Sequence, residues 1–297
     1  MKKSFILVAL AALAVVCFTA CGSDEDDYVA PKYNVTLPLP QNAADAVSFQ
    51  DIKGMTSAGA SLAGVTFTET GNAIVEVAGK YVTAAYTVAN GVYTLTGAAT
   101  GTIKDLTTKG TTTENTNISI NITVTVDGQS YTFNGDADAD KETATELTNN
   151  TDLNNICRKW TLKNMSLALT GGVSMMKVYQ SGDLSQLGKD ANDNGAGLTE
   201  DELAELNKTV QSIEFTKTGK LFLTYRENGQ DITQCATWTS SDFTSFLIKE
   251  ISEANKFIDK NSTIQVAFNG NNGCTITFNT KITGNKNYDA QLIINLK

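Results

Sequence analysis

The clearest pattern along the chain is a strict alternation of apolar and polar residues between positions 118 and 126. Ile118, Ile120, Ile122, Val124 and Val126 alternate with Ser119, Asn121, Thr123 and Thr125. Successive side chains of a strand point to opposite faces, so this run predicts a strand with one face on a core and the other in water. Asp127-Gly128 follows it, and such a pair readily adopts the positive φ angles of a two-residue hairpin turn. Tyr131 and Phe133 are therefore expected on the return strand.

The same reasoning predicts several other short strands joined by glycine and asparagine turns. One hairpin places Tyr86–Val88 and Val92–Leu95 on either side of Asn90-Gly91. Later strands are expected at Ile213–Phe215, Leu221–Tyr225, Ile232–Trp238, Ile264–Phe268, Cys274–Ile282 and Tyr288–Leu296. Many short strands at close spacing favour a β-sandwich or a barrel, so the fold class is expected to be mainly β.

Two short segments recur in the same order, which suggests a duplication. Phe67-Thr68-Glu69-Thr70-Gly71 returns as Phe215-Thr216-Lys217-Thr218-Gly219, and Tyr131-Thr132-Phe133-Asn134 is matched by Ile276-Thr277-Phe278-Asn279. Hairpin chemistry alone could produce either match, but together they predict two tandem antiparallel β-domains. The predicted boundaries are residues 42–140 for the first β-domain, 141–155 for a polar linker and 156–297 for the second domain.

Two helices are expected as insertions in the second domain. Thr199-Glu200-Asp201-Glu202 has the form of a capping box, with the apolar residues Leu203, Leu206 and Val210 behind it. A second amphipathic pattern is formed by Phe243, Leu247, Ile251, Ala254 and Ile258. Both apolar stripes are expected to pack on the sheet, and the alternative for the second is a helix that binds a partner.

The second domain opens on Cys157-Arg158-Lys159-Trp160-Thr161-Leu162, after a short helix predicted from about Thr151. A basic residue and a tryptophan at the start of a strand, a later Phe-Thr-x-x-Gly hairpin and closing alternating strands resemble the lipocalin-like domains of surface lipoproteins from Gram-negative gut commensals. The resemblance covers about residues 150–297, and more loosely 45–140, where no tryptophan opens the domain. It implies an up-and-down barrel with Trp160 buried at a closed base. It implies a scaffold rather than a reaction, because function depends on the site and not on the fold.

The first twenty residues predict a lipoprotein signal peptide. Lys2 and Lys3 precede an apolar run from Phe5 to Phe18, which is short for a membrane span, and Thr19-Ala20 supplies small residues before Cys21. The mature chain is expected to begin at Cys21, with a lipid on its thiol and its amine. The alternative is an ordinary secretory signal that happens to be followed by a cysteine.

Residues 21–41 are expected to form an acidic, proline-containing tether. Asp24-Glu25-Asp26-Asp27 follow the anchor directly, and Pro31, Pro38 and Pro40 are the only prolines of the chain. The four acids resemble the export signal of surface lipoproteins in Gram-negative gut commensals; the alternative is a solvated spacer. The expected location is thus the outer membrane, lipid-anchored and at the cell surface, with the membrane itself as a partner through the anchor.

Composition argues against several functions. The net charge of −9 makes nucleic acid an unfavourable partner. The absence of histidine removes the commonest general base and the triads and metal sites that use it. The acids are expected in loops, helix caps and the tether, away from apolar strand residues, and no phosphate loop occurs, so no enzyme and no catalytic residue is expected. Cys157, Cys235 and Cys274 are interpreted as small buried apolar residues, with a Cys235–Cys274 disulfide as the alternative.

One segment has the spacing of a calcium loop. Asp190, Asn192 and Asn194 precede Gly195 with oxygen side chains at alternate positions, as at the start of an EF-hand, and Asp201 or Glu202 would complete the site. The twelfth position is out of register, and an ordinary exposed loop uses the same residues, so a solvated loop without metal is the alternative. Asp136, Asp138 and Asp140 form a weaker match, and no other cofactor is expected.

These observations predict a non-enzymatic binding module for a small apolar or glycan-type ligand. The ligand would lie in the barrel mouth, or on a sheet face that carries Tyr225 and Trp238. The alternative is a structural or adhesion subunit of a cell-surface assembly, without a small-molecule ligand, whose barrel interior is filled by its own side chains. Small eight-stranded barrels lie at the boundary between the two cases.

Overall fold

The computed structural model describes residues 46–106, 116–143, 156–170, 175–180, 183–186, 189, 200–205, 207–237, 263–268, 273–283 and 287–297. These residues are mainly in strands, as expected. The strands are β1 (Val47–Gln50), β2 (Thr56–Ser57), β3 (Ala60–Phe67), β4 (Asn72–Val77), β5 (Lys80–Ala89), β6 (Val92–Gly97), β7 (Ala99–Asp105), β8 (Thr116–Val126), β9 (Gln129–Thr143), β10 (Lys159–Thr170), β11 (Met175–Gln180), β12 (Thr209–Phe215), β13 (Lys220–Glu227), β14 (Gln230–Thr237), β15 (Thr263–Phe268), β16 (Cys274–Thr283) and β17 (Asn287–Leu296). A helix, α1, spans Glu200–Glu205.

The predicted hairpins are confirmed, down to the conformation of their turns. Strand β8 contains the whole 118–126 alternation, and its apolar residues are buried. Asp127-Gly128 has φ angles of 50° and 78°, and Asn90-Gly91 has 50° and 75°. Three further turns of this kind, which the sequence analysis did not single out, occur at Ala58-Gly59, Ala78-Gly79 and Asn228-Gly229. Glycine at the second position makes this positive φ inexpensive.

The chain divides into two compact units. Among the described residues, the N-terminal unit comprises 46–143 together with Phe215–Lys220, and the C-terminal unit comprises 156–214 and Leu221–Lys297. Two details differ from the predicted boundaries. Strand β9 continues to Thr143, so the first three residues of the predicted linker are strand residues. Residues 215–220 group with the N-terminal unit, although they were predicted to belong to the second domain. A boundary drawn on the sequence cannot show contacts between segments that are far apart in the chain.

The N-terminal unit is an eight-stranded antiparallel barrel. Its strands pair in the order β1, β3, β4, β5, β6, β7, β8, β9, and β9 pairs with β1 to close the ring. Val47 of β1 lies opposite both Phe67 of β3 and Thr143 of β9. The two-residue strand β2 pairs with β3 as an addition to the ring.

Aromatic rings occupy the interior of this barrel. The rings of Phe67 and Tyr93 stack with centroids 4.1 Å apart, and Phe49 packs edge-on against both at 6.2 Å. Tyr86 packs edge-on against Phe67 at 4.9 Å, and its hydroxyl donates a 2.9 Å hydrogen bond to the Thr68 carbonyl. These rings and the aliphatic residues around them are buried, so the interior is packed with the barrel's own side chains.

The C-terminal unit contains strands β10 to β17, which we call the C-terminal barrel. β17 pairs with β10 from Leu162↔Leu296 to Thr170↔Asp289, while β12 pairs with the start of β10 and β11 with its later part. β17 also pairs with β16, and β16 with β15, and all of these pairings are antiparallel. Trp160, Met165, Phe268, Ile276 and Ile294 are among its buried residues.

The first repeated segment is one turn, formed twice. In the N-terminal copy the Thr68 amide donates to the Asn72 carbonyl at 2.8 Å and the Gly71 amide donates to the Thr68 carbonyl at 3.1 Å. In the second copy the amides of Thr216 and Gly219 make the corresponding bonds at 2.9 and 3.1 Å. In each copy the two threonine hydroxyls are also hydrogen-bonded to each other, at 2.8 and 2.9 Å.

The register around the two turns identifies a further equivalence. Val65 and Ile213 each lie two residues before the phenylalanine of their turn, at Phe67 and Phe215. Phe49 lies opposite Val65 on the first strand of the N-terminal barrel, and Trp160 lies opposite Ile213 on the first strand of the C-terminal barrel. Phe49 therefore occupies the place of Trp160, although no tryptophan marks the opening of the first barrel.

The two copies of the second repeated segment do not lie on equivalent strands. Tyr131–Asn134 lie on β9, which closes the N-terminal barrel, whereas Ile276–Asn279 lie on β16, the strand before the closing strand β17. The match is wrong because apolar residues alternating with Thr and Asn fit almost any half-exposed strand.

Helix α1 begins at Glu200, directly after the predicted cap Thr199, which itself lies outside the described residues. The predicted helix at residues 243–258 and the short helix near Thr151 also lie outside them. In the part of the chain that the structure describes, no helix has the length and apolar character needed to cross a membrane.

Candidate functional site: the rim of the C-terminal barrel

Trp160 and its neighbours mark one end of the C-terminal barrel. The indole is 2% exposed, and its Nε1 donates a 2.9 Å hydrogen bond to the Ile156 carbonyl. The Arg158 guanidinium lies 5.2 Å from the centroid of the Trp160 ring, and the Phe268 ring lies 6.2 Å away. Burial lowers the pKa of Arg158 from its usual value, since desolvation disfavours the charged form.

A buried lysine lies in the same unit, at the other end of β12. Lys208 immediately precedes β12, and its side chain is only 7% exposed. Its Nζ lies 5.2 Å from the centroid of the Tyr225 ring and 3.7 Å from Glu227 Oε1. The Tyr225 hydroxyl also accepts a 3.4 Å hydrogen bond from Gln234 Nε2. We call Lys208, Tyr225, Glu227 and Gln234 the rim cluster.

Strand geometry places the rim cluster away from Trp160. Trp160 lies opposite Ile213, and Thr161 opposite Ser212, towards the C-terminal end of β12. Lys208 is four residues before Ser212, which corresponds to about 13 Å along a strand. β12 begins, β13 ends and β14 begins beside this point, so the cluster lies at the edge of this side of the barrel wall.

The orientation of Tyr225 follows from the alternation along β13. Tyr225 shares its face with the buried residues Leu221 and Leu223, while the neighbouring Arg226 is exposed and forms an ion pair with Asp231 at 2.8 Å. That hydrogen-bonded pair raises the pKa of Arg226. Tyr225 is therefore an interior residue and not part of an exposed aromatic sheet face, as one sequence interpretation had it. Trp238, the other residue of that interpretation, lies outside the described residues.

A short turn packs beside Lys208. The Leu184 amide donates a 3.1 Å hydrogen bond to the Lys208 carbonyl, and the Leu184 side chain is fully buried. Asp183 forms a bridge with Thr209, and its Oδ1 accepts hydrogen bonds from the Ser185 amide and hydroxyl at 2.9 and 2.7 Å. Residues 183–185 thus fix the backbone from which Lys208 projects.

The N-terminal barrel has apolar residues where the rim cluster stands. Ala60 precedes Phe67 by the same seven positions as Lys208 precedes Phe215, and Val77 follows Phe67 by the same ten positions as Tyr225 follows Phe215. Ala60 and Val77 are buried in the core of the N-terminal barrel. The cation and the phenol are therefore not requirements of the repeated turn and its strands.

The rim cluster combines a cation, a phenol and an amide beside buried apolar side chains. An ammonium donates hydrogen bonds and attracts anions, a phenol donates and accepts, and an amide does both. Together they can hold the polar end of a molecule whose apolar part contacts residues such as Leu223 and Met165, which are buried in the same barrel. Sequence reasoning missed Lys208 because Asn207-Lys208-Thr209 reads as an ordinary polar loop.

The predicted calcium site lies mostly outside the described residues, so it stays a prediction. Asp190, Asn192 and Asn194 lie outside the described residues, while Asp201 and Glu202 lie in the first turn of α1. Among the described residues, no group of three or more acidic or cysteine side chains could hold a metal ion.

The weaker metal motif is also not a loop. Asp136, Asp138 and Asp140 lie on β9, where the first two are exposed. Alternate residues of a strand are about 6.6 Å apart, too far for three carboxylates to meet at one ion.

One acid lies within a strand, where none was expected, and a second is buried in a turn. Glu69 and Glu214 are both buried, and Glu214 stands within a strand between Ile213 and Phe215. Glu69 Oε1 accepts a 2.6 Å hydrogen bond from the Lys217 amide, within the N-terminal unit. The expectation that acids are confined to loops, caps and tether is therefore wrong. The apolar neighbours of Glu214 are visible in the sequence and could have revealed it.

The cysteines fit the interpretation as small packed side chains. Cys157 and Cys274 are buried, Cys235 is half-buried, and these three described cysteines form no disulfide. Cys21, the predicted lipidation site, lies outside the described residues.

Comparison with known proteins adds little. No family model matches the chain, and no curated protein matches it. Among solved structures it is similar to a protein of unknown function of the DUF3598 family from Nostoc punctiforme, with 9% sequence identity and a TM-score of 0.20 over 86% of this chain and 94% of that one. A TM-score of this size supports no conclusion about fold or function.

Proposed function

We propose that the protein is a non-enzymatic binding module whose C-terminal barrel takes up a small, largely apolar ligand. The observation that carries the proposal is the rim cluster: Lys208 and Tyr225 are buried, and their polar groups lie together with that of Gln234 in one cluster. Burial of a polar group costs free energy unless the group is hydrogen-bonded or paired, and a few convergent polar groups in an apolar lining are typical of ligand sites.

The contrast between the two barrels supports a division of roles. The interior of the N-terminal barrel is occupied by the rings of Phe49, Phe67, Tyr86 and Tyr93. This filling favours the alternative role, a structural or adhesion element without a small ligand, for the N-terminal barrel alone. The binding function is assigned to the C-terminal barrel.

The tandem arrangement fits a duplicated lipocalin-like unit. The turn at Thr68–Asn72 is repeated at Thr216–Lys220 with the same hydrogen bonds, and Phe49 stands in the position of Trp160. In this proposal the second copy keeps the interior tryptophan at one end and gains polar residues at the other.

The proposed location is the outer face of the outer membrane, through a lipid on Cys21. A short apolar run, a basic start and a cysteine after small residues support the anchor. The acidic residues 24–27 and the tether that follows would hold the barrels in solvent, where they can reach a diffusing ligand.

A neutral apolar probe, 1-N-phenylnaphthylamine, tests the proposal by fluorescence titration of the full chain without its signal peptide. We expect saturable binding of one probe per chain. Gln234→Trp should abolish it by filling the rim. Thr233→Trp is the matched control, because Thr233 bonds Thr224 at 3.0 Å on the opposite face of β14 and its replacement should leave binding unchanged. Absence of saturable binding to the wild type, or equal binding to both variants, would contradict the proposal.

A further inference from the structure

We propose that Met55 is a site of oxidation by peroxide, and that its sulfoxide releases residues 51–57 from the wall of the N-terminal barrel. We call residues 51–57 the strap. The proposal is carried by the irregular backbone of the strap, by the contact of the Met55 methyl group with a glycine of β9, and by the partial exposure of the Met55 side chain. It does not depend on the proposed ligand of the C-terminal barrel.

The strap continues the wall of the N-terminal barrel where β1 ends. β1 lies between β3 and β9, and its last residue is Gln50. Beyond it, the Ile52 amide donates a 3.1 Å hydrogen bond to the Ala63 carbonyl of β3. The Lys53 amide donates a 3.0 Å hydrogen bond to the Asp138 carbonyl of β9. The strap therefore joins the same two strands as β1.

The backbone of the strap departs from that of a regular strand. Asp51 has a φ angle of 49° and Gly54 one of 76°. A positive φ at a residue with a Cβ costs free energy, so contacts elsewhere in the strap have to hold Asp51 in place. Asp51, Lys53 and Gly54 are exposed and do not supply these contacts from the core.

Two apolar side chains anchor the strap. Ile52 is buried, and Met55 is half-buried and packs against the core of the N-terminal barrel. The methyl group of Met55 lies beside Gly135 of β9, where an added Cβ would come within 3.2 Å of it. The Met55 carbonyl also accepts a 3.0 Å hydrogen bond from the Leu62 amide of β3. Met55 thus contacts both strands that the strap joins.

Oxidation changes the side chain that makes these contacts. Hydrogen peroxide transfers one oxygen atom to the thioether sulfur, which loses two electrons, and the peroxide is reduced to water. The product is a polar sulfoxide, whose burial against apolar residues costs free energy unless it is hydrogen-bonded. Because Met55 is half-buried, its sulfoxide can reach water by turning away from the core, and the strap then loses one of its two apolar anchors.

Peroxide treatment of the full chain without its signal peptide tests the proposal. Peptide mapping by mass spectrometry measures oxidation at each methionine, and hydrogen exchange measures opening of the strap. We expect Met55 to be oxidised many-fold faster than Met165, which is 1% exposed. Oxidation should speed exchange at residues 52–62 several-fold and leave exchange in β8 unchanged.

Two leucine variants identify the methionine responsible. Met55→Leu keeps an apolar side chain of similar volume, so exchange at residues 52–62 should stay slow before and after peroxide. Met165→Leu is the matched control and should respond to peroxide as the wild type does. A Met55→Leu chain that still opens after peroxide would show that another methionine is responsible, which overturns the proposal.

Met55→Gln gives an independent result without oxidant. It places a polar group at the same position, so exchange at residues 52–62 should be faster than in Met55→Leu before any peroxide is added. Equal exchange in these two variants contradicts the role of Met55 as an apolar anchor. Oxidation of Met55 no faster than that of Met165, or an oxidised Met55 with unchanged exchange at residues 52–62, also overturns the proposal.

Discussion

Replacement of Trp160 by alanine is expected to destabilise the C-terminal unit by about 3–5 kcal/mol, the range for removing a large buried aromatic side chain. The indole is 2% exposed, so its removal leaves a cavity rather than a gap that water can fill. It also leaves the Ile156 carbonyl without its 2.9 Å donor and removes the ring beneath the Arg158 guanidinium.

A graded pair of variants separates these contributions. Trp160→Phe keeps an aromatic ring but loses the Nε1–H donor, so we expect a smaller cost of about 1–3 kcal/mol, the range for leaving a buried polar group unsatisfied. Phe49→Ala is the matched control, because Phe49 has the equivalent position in the N-terminal barrel and is fully buried. It should destabilise the N-terminal unit by a similar amount.

Equilibrium unfolding in urea, followed by circular dichroism, measures the change. We expect Trp160→Ala to lower the midpoint assigned to the C-terminal unit and to leave the other midpoint in place. A loss below about 1 kcal/mol, the size expected for an exposed substitution, would refute the account of Trp160 as a packed end of the barrel. A single transition that shifts as a whole in all variants would refute the separation into two folding units.

Three further outcomes are expected. Gly101→Ala should lower the free energy of unfolding in urea by more than Gly97→Ala does. Both glycines have φ above 100°, but an added Cβ at residue 101 would collide with the Asn121 carbonyl, whereas at residue 97 its nearest neighbour is 4.0 Å away. Equal losses of stability in the two variants would refute the steric argument. Cys21→Ser should abolish fatty-acid labelling and release the protein from membranes, and label retained by the variant would disprove the anchor. Millimolar calcium should leave the melting temperature unchanged; a rise that Asp190→Ala removes would establish the loop as a metal site.

The sequence predicted those parts of the fold that depend on local pattern. The 118–126 alternation and the Asp127-Gly128 turn were sufficient to place β8 and β9, because period-two hydrophobicity and positive φ are properties of neighbouring residues. Strand β1 was missed, because Val47–Gln50 is too short to show a period. Its place opposite both β3 and β9 depends on closure of the ring, to which residues far apart contribute.

The rim cluster was out of reach for the same reason. In the sequence Lys208 resembles a loop residue. Tyr225 lies in a predicted hairpin strand, but the sequence does not show which face of that strand is buried. Their proximity becomes visible only when the register of β12 and β13 is known, and the burial of Lys208 follows from it. The repeated Phe-Thr-x-Thr-Gly segment succeeded as a predictor because a turn is local. The second repeat failed because strand composition does not identify which strand it is.

Ring closure has a consequence for how quickly each barrel can form. The last pairing in the N-terminal barrel joins residue 47 to residue 143, and in the C-terminal barrel β10 pairs with β17 across the whole unit. Such distant pairings cost loop entropy before they contribute contacts, so folding is expected to be slow for the size of each unit. Until the ring closes, its first and last strands expose unpaired backbone groups that can join other chains. Protection from aggregation is therefore needed during folding, whereas in the finished N-terminal barrel the first and last strands protect each other by pairing.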